Sequence, residues 1–214
     1  MGRGASKAGG GNAGGQGKPN DATEWYVSGE GMWINQYLRG RSGYGELTDN
    51  EKQMLKDLDK ATNGKITDDT LYRSVDASAI FGSMSDGDYE NVSQMLMYGE
   101  NSFGKGAYAD SIREKVDNRI NKTVGKTITE KGFMSTTTSA DVAEEWGGFT
   151  GSEKPVVMKI ATSNNTKGVN LSSYDKNVSP SEAQHERLLA RNQSYEVKRV
   201  YSKNGSIYVD VKMR

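Results

Sequence analysis

Apolar residues recur at helical spacing through the first half of the chain and alternate with polar ones through much of the second. Met32, Trp33, Ile34, Tyr37 and Leu38 fall at helical intervals ahead of Gly40, which predicts a helix over 32–39. Thr48 or Asp49 can cap a second helix, with Glu51 in its first turn and Met54, Leu55 and Leu58 on one face. That helix runs to about Thr62, and Asn63-Gly64 then turns the chain. Leu71, Arg73 and Val75 alternate with Tyr72 and Ser74 as in a short strand. Residues 87–120 read as helical with a break near 99–106. Val92, Met95, Leu96 and Tyr98 bias one segment, and Ile112, Val116 and Ile120 bias the other.

The second half starts its return to strand at 125–129, and 132–137 is a predicted strand. Ser139 caps a short helix over 139–146, with Ala140, Ala143 and Trp146 on one face. The glycines at 147, 148 and 151 predict a flexible loop over 147–152. Residues 155–161 form a strongly apolar strand, 169–171 a short one and 184–189 another. Residues 195–201 and 206–211 pair as a hairpin around Asn204-Gly205. Helices first and strands later describe an α+β domain. Residues 1–20 are rich in Gly, Ala, Lys and Asn and are expected to be a disordered tail, leaving 21–214 as one folded domain.

Composition narrows the chemistry. The chain has 214 residues, a formal net charge of zero, no Cys and one His, His185. Disulfides, thiolate catalysis and Cys-ligated zinc are excluded, and a His-based metal cluster cannot form, so no metal is expected. Neutral bulk charge gives no pointer to nucleic acid. No apolar run approaches the ~20 residues that span a bilayer. The N-terminus lacks the apolar core of a secretory signal, so action in a cytosol is expected, that of the producing cell or of a target cell. Chemistry must come from carboxylates, Arg, hydroxyls and amides.

Three segments stand in a suggestive order: Leu71-Tyr72-Arg73-Ser74-Val75, Gly132-Phe133-Met134-Ser135-Thr136-Thr137 and Gln184-His185-Glu186-Arg187-Leu188-Leu189. Together with Ile34-Asn35-Gln36-Tyr37-Leu38-Arg39, they resemble the N-terminal helix, Arg strand, Ser-Thr-Ser strand and Gln/Glu-x-Glu strand of the R-S-E mono-ADP-ribosyltransferases, the C3-like and cholera-toxin-like group. The resemblance covers roughly residues 25–213. It implies two small, mainly antiparallel sheets around an NAD cleft with an N-terminal helical layer. It also implies NAD as a consumed co-substrate, a target protein as acceptor, and a monomer. An NAD glycohydrolase and an inactive binding module of the same fold are the alternatives. The sequence does not separate a delivered toxin or effector from a phage product or an endogenous regulator.

The residue chemistry agrees with that reading. A guanidinium fork matches phosphate oxygens, so Arg73, with Ser74 beside it, is the candidate for the NAD pyrophosphate. Cleavage of the nicotinamide–ribose bond passes through an oxocarbenium-like state that a carboxylate can stabilise, as in glycoside hydrolysis. Glu186 is the candidate. The resemblance gives Ser135 the part of orienting Glu186 and places Thr136 and Thr137 beside the NAD site. It also places a phosphate–nicotinamide loop at 147–154, with Phe149 to stack on nicotinamide and Lys154 to meet phosphate. Strand alternation puts Gln184 and Glu186 on one face and His185 on the other. In the resembled family, Glu at the position of Gln184 goes with arginine acceptors. An amide cannot take a proton from a guanidinium, so a non-arginine acceptor is expected. The segment 172–183 would contact the acceptor, with Tyr174 as its aromatic contact.

Overall fold

A computed structural model of the chain describes residues 17–40, 45–149, 154–177, 179 and 183–214. Three helices come first: α1 (Asp21–Trp25), α2 (Gly31–Leu38) and α3 (Asp49–Ala61). Asn20 opens α1 with a capping box, its side chain accepting from Thr23 N and the Thr23 hydroxyl accepting from Asn20 N. A π-helical segment, Tyr26–Glu30, joins α1 to α2 and turns at Gly29, where φ is 121°. Thr48 and Glu51 form the capping box of α3. Residues 17–20 were grouped with the tail by composition. Gly17 bridges to Val169, and Asn20 Nδ2 donates to Asp57 O at 3.1 Å. Residues 1–16 lie outside the described part of the chain.

Strand β1 (Thr70–Asp76) follows, then α4 (Ser78–Phe81), α5 (Asp86–Tyr98), a short 3-10 turn at Glu100–Phe103, and α6 (Ala107–Thr123). The rest is β2 (Thr127–Glu130), β3 (Met134–Thr137), α7 (Ala140–Phe149), β4 (Pro155–Ala161), β5 (Gly168–Asn170), β6 (Glu186–Leu189), β7 (Gln193–Lys203) and β8 (Ser206–Met213). A 3-10 segment at Ser172–Asn177 precedes β6. The α+β class holds, with helices gathered ahead of most strands.

The strands form one ladder in the order β2-β7-β8-β4-β1-β3-β6-β5, antiparallel except for the β4–β8 pair. The two expected small sheets are joined here, but narrowly. Strand β1 pairs with β4 along its whole length and with β3 through one residue pair, Tyr72 with Thr137. The longer part carries β2-β7-β8-β4-β1 and the shorter part β3-β6-β5.

Three apolar clusters follow from this division. One face of the longer part buries Leu71, Val156, Met158, Ile160 and Val209 against Val92 and Met95 of α5 and Val116 of α6. Its other face packs Val157 and Tyr208 on Ala143 of α7. The N-terminal helices cover the shorter part, with Ile34, Leu58, Phe133 and Leu188 fully buried together. Full burial of a side chain such as Ile34 or Phe133 contributes about 1.5–3 kcal/mol of transfer free energy. The helical layer is thus a structural lid on β3 and β6, the strands that carry Ser135 and Glu186.

Candidate active site

The narrow junction brings the three candidate residues near one another. Arg73 sits mid-strand on β1 opposite Met158, and Leu71 and Val75, its neighbours on the same face, belong to the main core. Ser135 pairs with Leu188, and Thr137 with Glu186, across β3 and β6. Directly opposed residues share a face. Ser135, Thr137 and Glu186 therefore lie on the face covered by the N-terminal helices. Arg73 approaches from the other side of the junction, close enough for its charge to be felt at Glu186 and Tyr26.

Around Ser135 runs a chain of hydrogen bonds that starts on α2. Asn35 Oδ1 accepts from Phe133 N at 2.8 Å, and Asn35 Nδ2 donates to Phe133 O at 3.1 Å. The same Nδ2 donates to the Tyr26 hydroxyl at 2.8 Å. Tyr26 Oη lies 3.4 Å from Ser135 Oγ, and the Ser135 hydroxyl is near enough to Glu186 to favour its ionised form. The amide nitrogen can only donate, so the Tyr26 oxygen accepts there and its proton is free for Ser135. Ser135 then has its own proton to give to Glu186. The backbone of Phe133 fixes which way the Asn35 amide points and so sets the direction of the whole chain.

Glu186 is half-buried, and burial is the main cause that pushes its carboxyl above the usual range. The Ser135 hydrogen bond opposes that rise, the Asp175 charge adds to it, and the Arg73 charge opposes it. Tyr26 is likewise raised, first by burial.

Arg73 has no ion-pair partner among the described residues, and its Nη1 is buried without a hydrogen-bond partner. Burial pulls its guanidinium below the usual value, Glu130 opposing and Arg39 adding to the pull. Glu130 is occupied elsewhere: Arg39 grips it with Nε and Nη2 at 3.0 and 3.1 Å, and Gly132 N donates to its Oε1. Burial alone would raise Glu130, but these contacts and Arg73 hold it below the usual carboxylate range. Tyr195, pushed up to about 12 chiefly by burial, closes the same region. Ser74, next along β1, also has a buried hydroxyl without a partner. Strand alternation turns Ser74 to the opposite face, toward α7, so the unmet Nη1 of Arg73 alone fits a ligand that brings its own acceptors, such as a pyrophosphate, and Ser74 does not share it.

The other expected residues fall in different places. Thr136 donates to Arg187 O at 2.7 Å, and Thr137 Oγ1 accepts from Ser139 N at 3.1 Å. Both hydroxyls are fully buried and already engaged, which makes them supports of the strand. The strand expected over 184–189 begins only at Glu186. His185 has a φ of 48°, so alternation does not run through it and does not define the direction of Gln184. Asp175 accounts for that conformation: its carboxylate accepts from Gln184 N at 3.1 Å and His185 N at 2.9 Å. Gln184 itself is exposed.

The loop expected over 147–152 is helical as far as Phe149, where α7 ends. The side chain of Phe149 and residues 150–153 lie outside the described part, as do 178 and 180–182 of the segment before Gln184. Lys154 pairs with Asp86 at 2.7 Å, which occupies the ammonium expected to meet phosphate. Tyr174 is partly exposed, and its hydroxyl meets Thr23 Oγ1 at 2.7 Å. Tyr26, Asn35, Arg39, Glu130 and Asp175 were not singled out by the sequence as site residues. Asn35 and Arg39 lie inside a recognised segment, but their partners Phe133 and Glu130 are 91 or more positions away.

A family model described as ADP-ribosyltransferase exoenzyme matches residues 18–213. No curated protein matches the sequence. Several solved structures share the fold. A C3-type ADP-ribosyltransferase from Clostridium botulinum is 23% identical, with 90% of this chain and 84% of that one covered and a TM-score of 0.59. C3larvin toxin from Paenibacillus larvae is 21% identical over 91% and 86%, with a TM-score of 0.56. The C3 exoenzyme of Clostridium limosum is 20% identical over 91% and 83%, with a TM-score of 0.58.

Proposed function

Because the chain belongs to the ADP-ribosyltransferase exoenzyme family and is an NAD-dependent protein mono-ADP-ribosyltransferase, we propose that Arg73, Ser135 and Glu186 form its working centre and that its acceptor is a side chain other than arginine. The observation that carries this reading is the meeting of Arg73, whose buried Nη1 has no partner, with Glu186 beside Ser135 at one junction of the sheet. NAD is the co-substrate. Its nicotinamide–ribose bond breaks, nicotinamide leaves, and the acceptor atom takes the ribose carbon while giving up its proton.

Each residue has a part that its surroundings support. Arg73 binds the pyrophosphate through a guanidinium nitrogen that the protein leaves unmet. Glu186, when ionised, faces the positive charge that grows on the ribose. Ser135 holds that carboxylate in one orientation, steadied by Tyr26 and Asn35. Gln184 sits exposed beside Glu186, where an amide can orient a neutral acceptor but cannot deprotonate a guanidinium.

The test is incubation of wild type, Glu186→Gln and Gln184→Glu proteins with labelled NAD and cell lysates, reading free nicotinamide and labelled protein. Labelling that needs Glu186 and resists hydroxylamine treatment typical of arginine conjugates is the expected result. Labelling of arginine by the wild type, or full labelling by Glu186→Gln, overturns the reading. Nicotinamide release without labelled protein in any bacterial or eukaryotic lysate would turn it toward a glycohydrolase.

A further inference from the structure

A cavity of about 560 Å³ opens between α5 and α6, away from Arg73, Ser135 and Glu186. Its volume lies within the ~300–1,000 Å³ usual for small-molecule sites. Phe81, Val92, Ile112 and Val116 give it an apolar floor. Lys115, Arg119 and Lys122, at i, i+4 and i+7 on α6, line one wall with Lys126 from the turn that follows. Asn91 and Asn118 add neutral amides.

The charges there are unbalanced. Among the described residues Asp88 is the one carboxylate that lines the cavity, and Arg119 already meets it at 3.5 Å while donating to Ser83 O at 3.1 Å. Lys115, Lys122 and Lys126 are exposed and take part in none of the ion pairs among the described residues. Placement near a helix C-terminus accounts for Lys122 and Lys126, whose charge suits the macrodipole. It does not account for Lys115, two turns earlier and opening into the same space. The whole chain is neutral, so this is a local excess of cation over an apolar floor.

The geometry points to a second, non-catalytic binding site for a small organic phosphate, whose phosphate meets Lys115, Lys122 and Lys126 and whose body lies against Ile112 and the edge of Phe81. Lysine is a mobile point charge suited to phosphate, and the floor gives affinity that inorganic anions lack. The phosphate can come from a free nucleotide or from a phosphoinositide headgroup, which present the same chemistry to the cavity.

Calorimetric titration of the full chain with ATP, in the presence of saturating NAD, tests the site. Wild type is expected to bind ATP saturably, and the Lys115→Gln/Lys122→Gln/Lys126→Gln variant at least tenfold more weakly, with NAD cleavage unchanged. Asn118→Trp, which fills the cavity and keeps its charges, should weaken ATP in the same way. Sedimentation with phosphatidylcholine vesicles with and without phosphatidylinositol bisphosphate separates the sources. Lysine-dependent retention only on the phosphoinositide vesicles assigns the headgroup. Failure of both probes to bind, displacement of ATP by NAD, or binding undiminished in both variants overturns the proposal.

Discussion

The carboxylate of Asp175 accepts the backbone N–H of His185 at 2.9 Å and so holds that residue at a φ of 48°. A second bond from Gln184 N makes Asp175 a clamp on the approach to Glu186. Asp175→Ala is expected to release Gln184 and to lower transfer to protein by roughly 10- to 100-fold, the cost of a small misplacement near the reacting atoms. NAD hydrolysis to water should fall much less. Equal losses in the two activities would show that the clamp does not serve the acceptor.

Glu186 carries a pH signature. Its carboxyl is raised by burial, so the acid limb of the pH–rate profile should lie above the ordinary glutamate value. Asp175→Asn removes a nearby charge that raises Glu186 and should move that limb to lower pH. Ser135→Ala removes a bond that lowers it and should move the limb up. A limb that ignores both changes belongs to another group.

The same shift acts on stability with a definite sign. Folded Glu186 holds its proton more tightly than unfolded Glu186, so stability is full below the ordinary carboxylate pKa and is lost as pH rises through the raised one. Glu186→Gln should therefore raise Tm at pH 7, by roughly 2–4 °C per kcal/mol relieved, while it abolishes NAD cleavage. A lower Tm in the variant, measured by calorimetry, would contradict this sign.

Arg39 holds Glu130 away from Arg73. Arg39→Ala should let the half-buried Glu130 turn to Arg73 and raise KM for NAD more than it lowers kcat. Steady-state NAD kinetics on Arg39→Ala and Arg39→Lys decide it. A pure kcat effect would mean that the pair only shapes the backbone.

Asn35→Ala leaves the buried N–H and C=O of Phe133 without partners, at a cost of about 1–3 kcal/mol. Asn35→Asp keeps the acceptor for Phe133 N but loses the donor to Tyr26. Both should slow NAD cleavage, and thermal melts should rank Ala as the less stable. Unchanged kinetics in a folded Asn35→Asp protein would detach Tyr26 from the working of Ser135.

Local signals were legible in the sequence and distant ones were not. The cap of α3 and the Asn204-Gly205 hairpin depend on neighbours in the chain: of the two candidate caps Thr48 is the one used, and the hairpin formed where expected. The five-residue α1 was missed because it is too short to show periodicity. Glycines misled at 147. There the residue is small because a Cβ would stand 3.0 Å from Ser74 Oγ and 3.1 Å from Pro155, not because the chain must loop. The same helix–strand contact carries α7 on to Phe149. At 184–189 the period-two pattern failed because Asp175, nine and ten positions earlier, takes the N–H groups that a ladder would use.

The single pair between Tyr72 and Thr137 has a mechanical meaning. A ladder that narrows to one rung resists shear weakly there, while the β1–β4 seam is stitched by seven pairs. Arg73 belongs to one side of that rung, and Ser135 and Glu186 to the other. A molecule gripped by both sides ties across the weakest seam of the sheet, so the distance between its two grips is set by the substrate as much as by the protein.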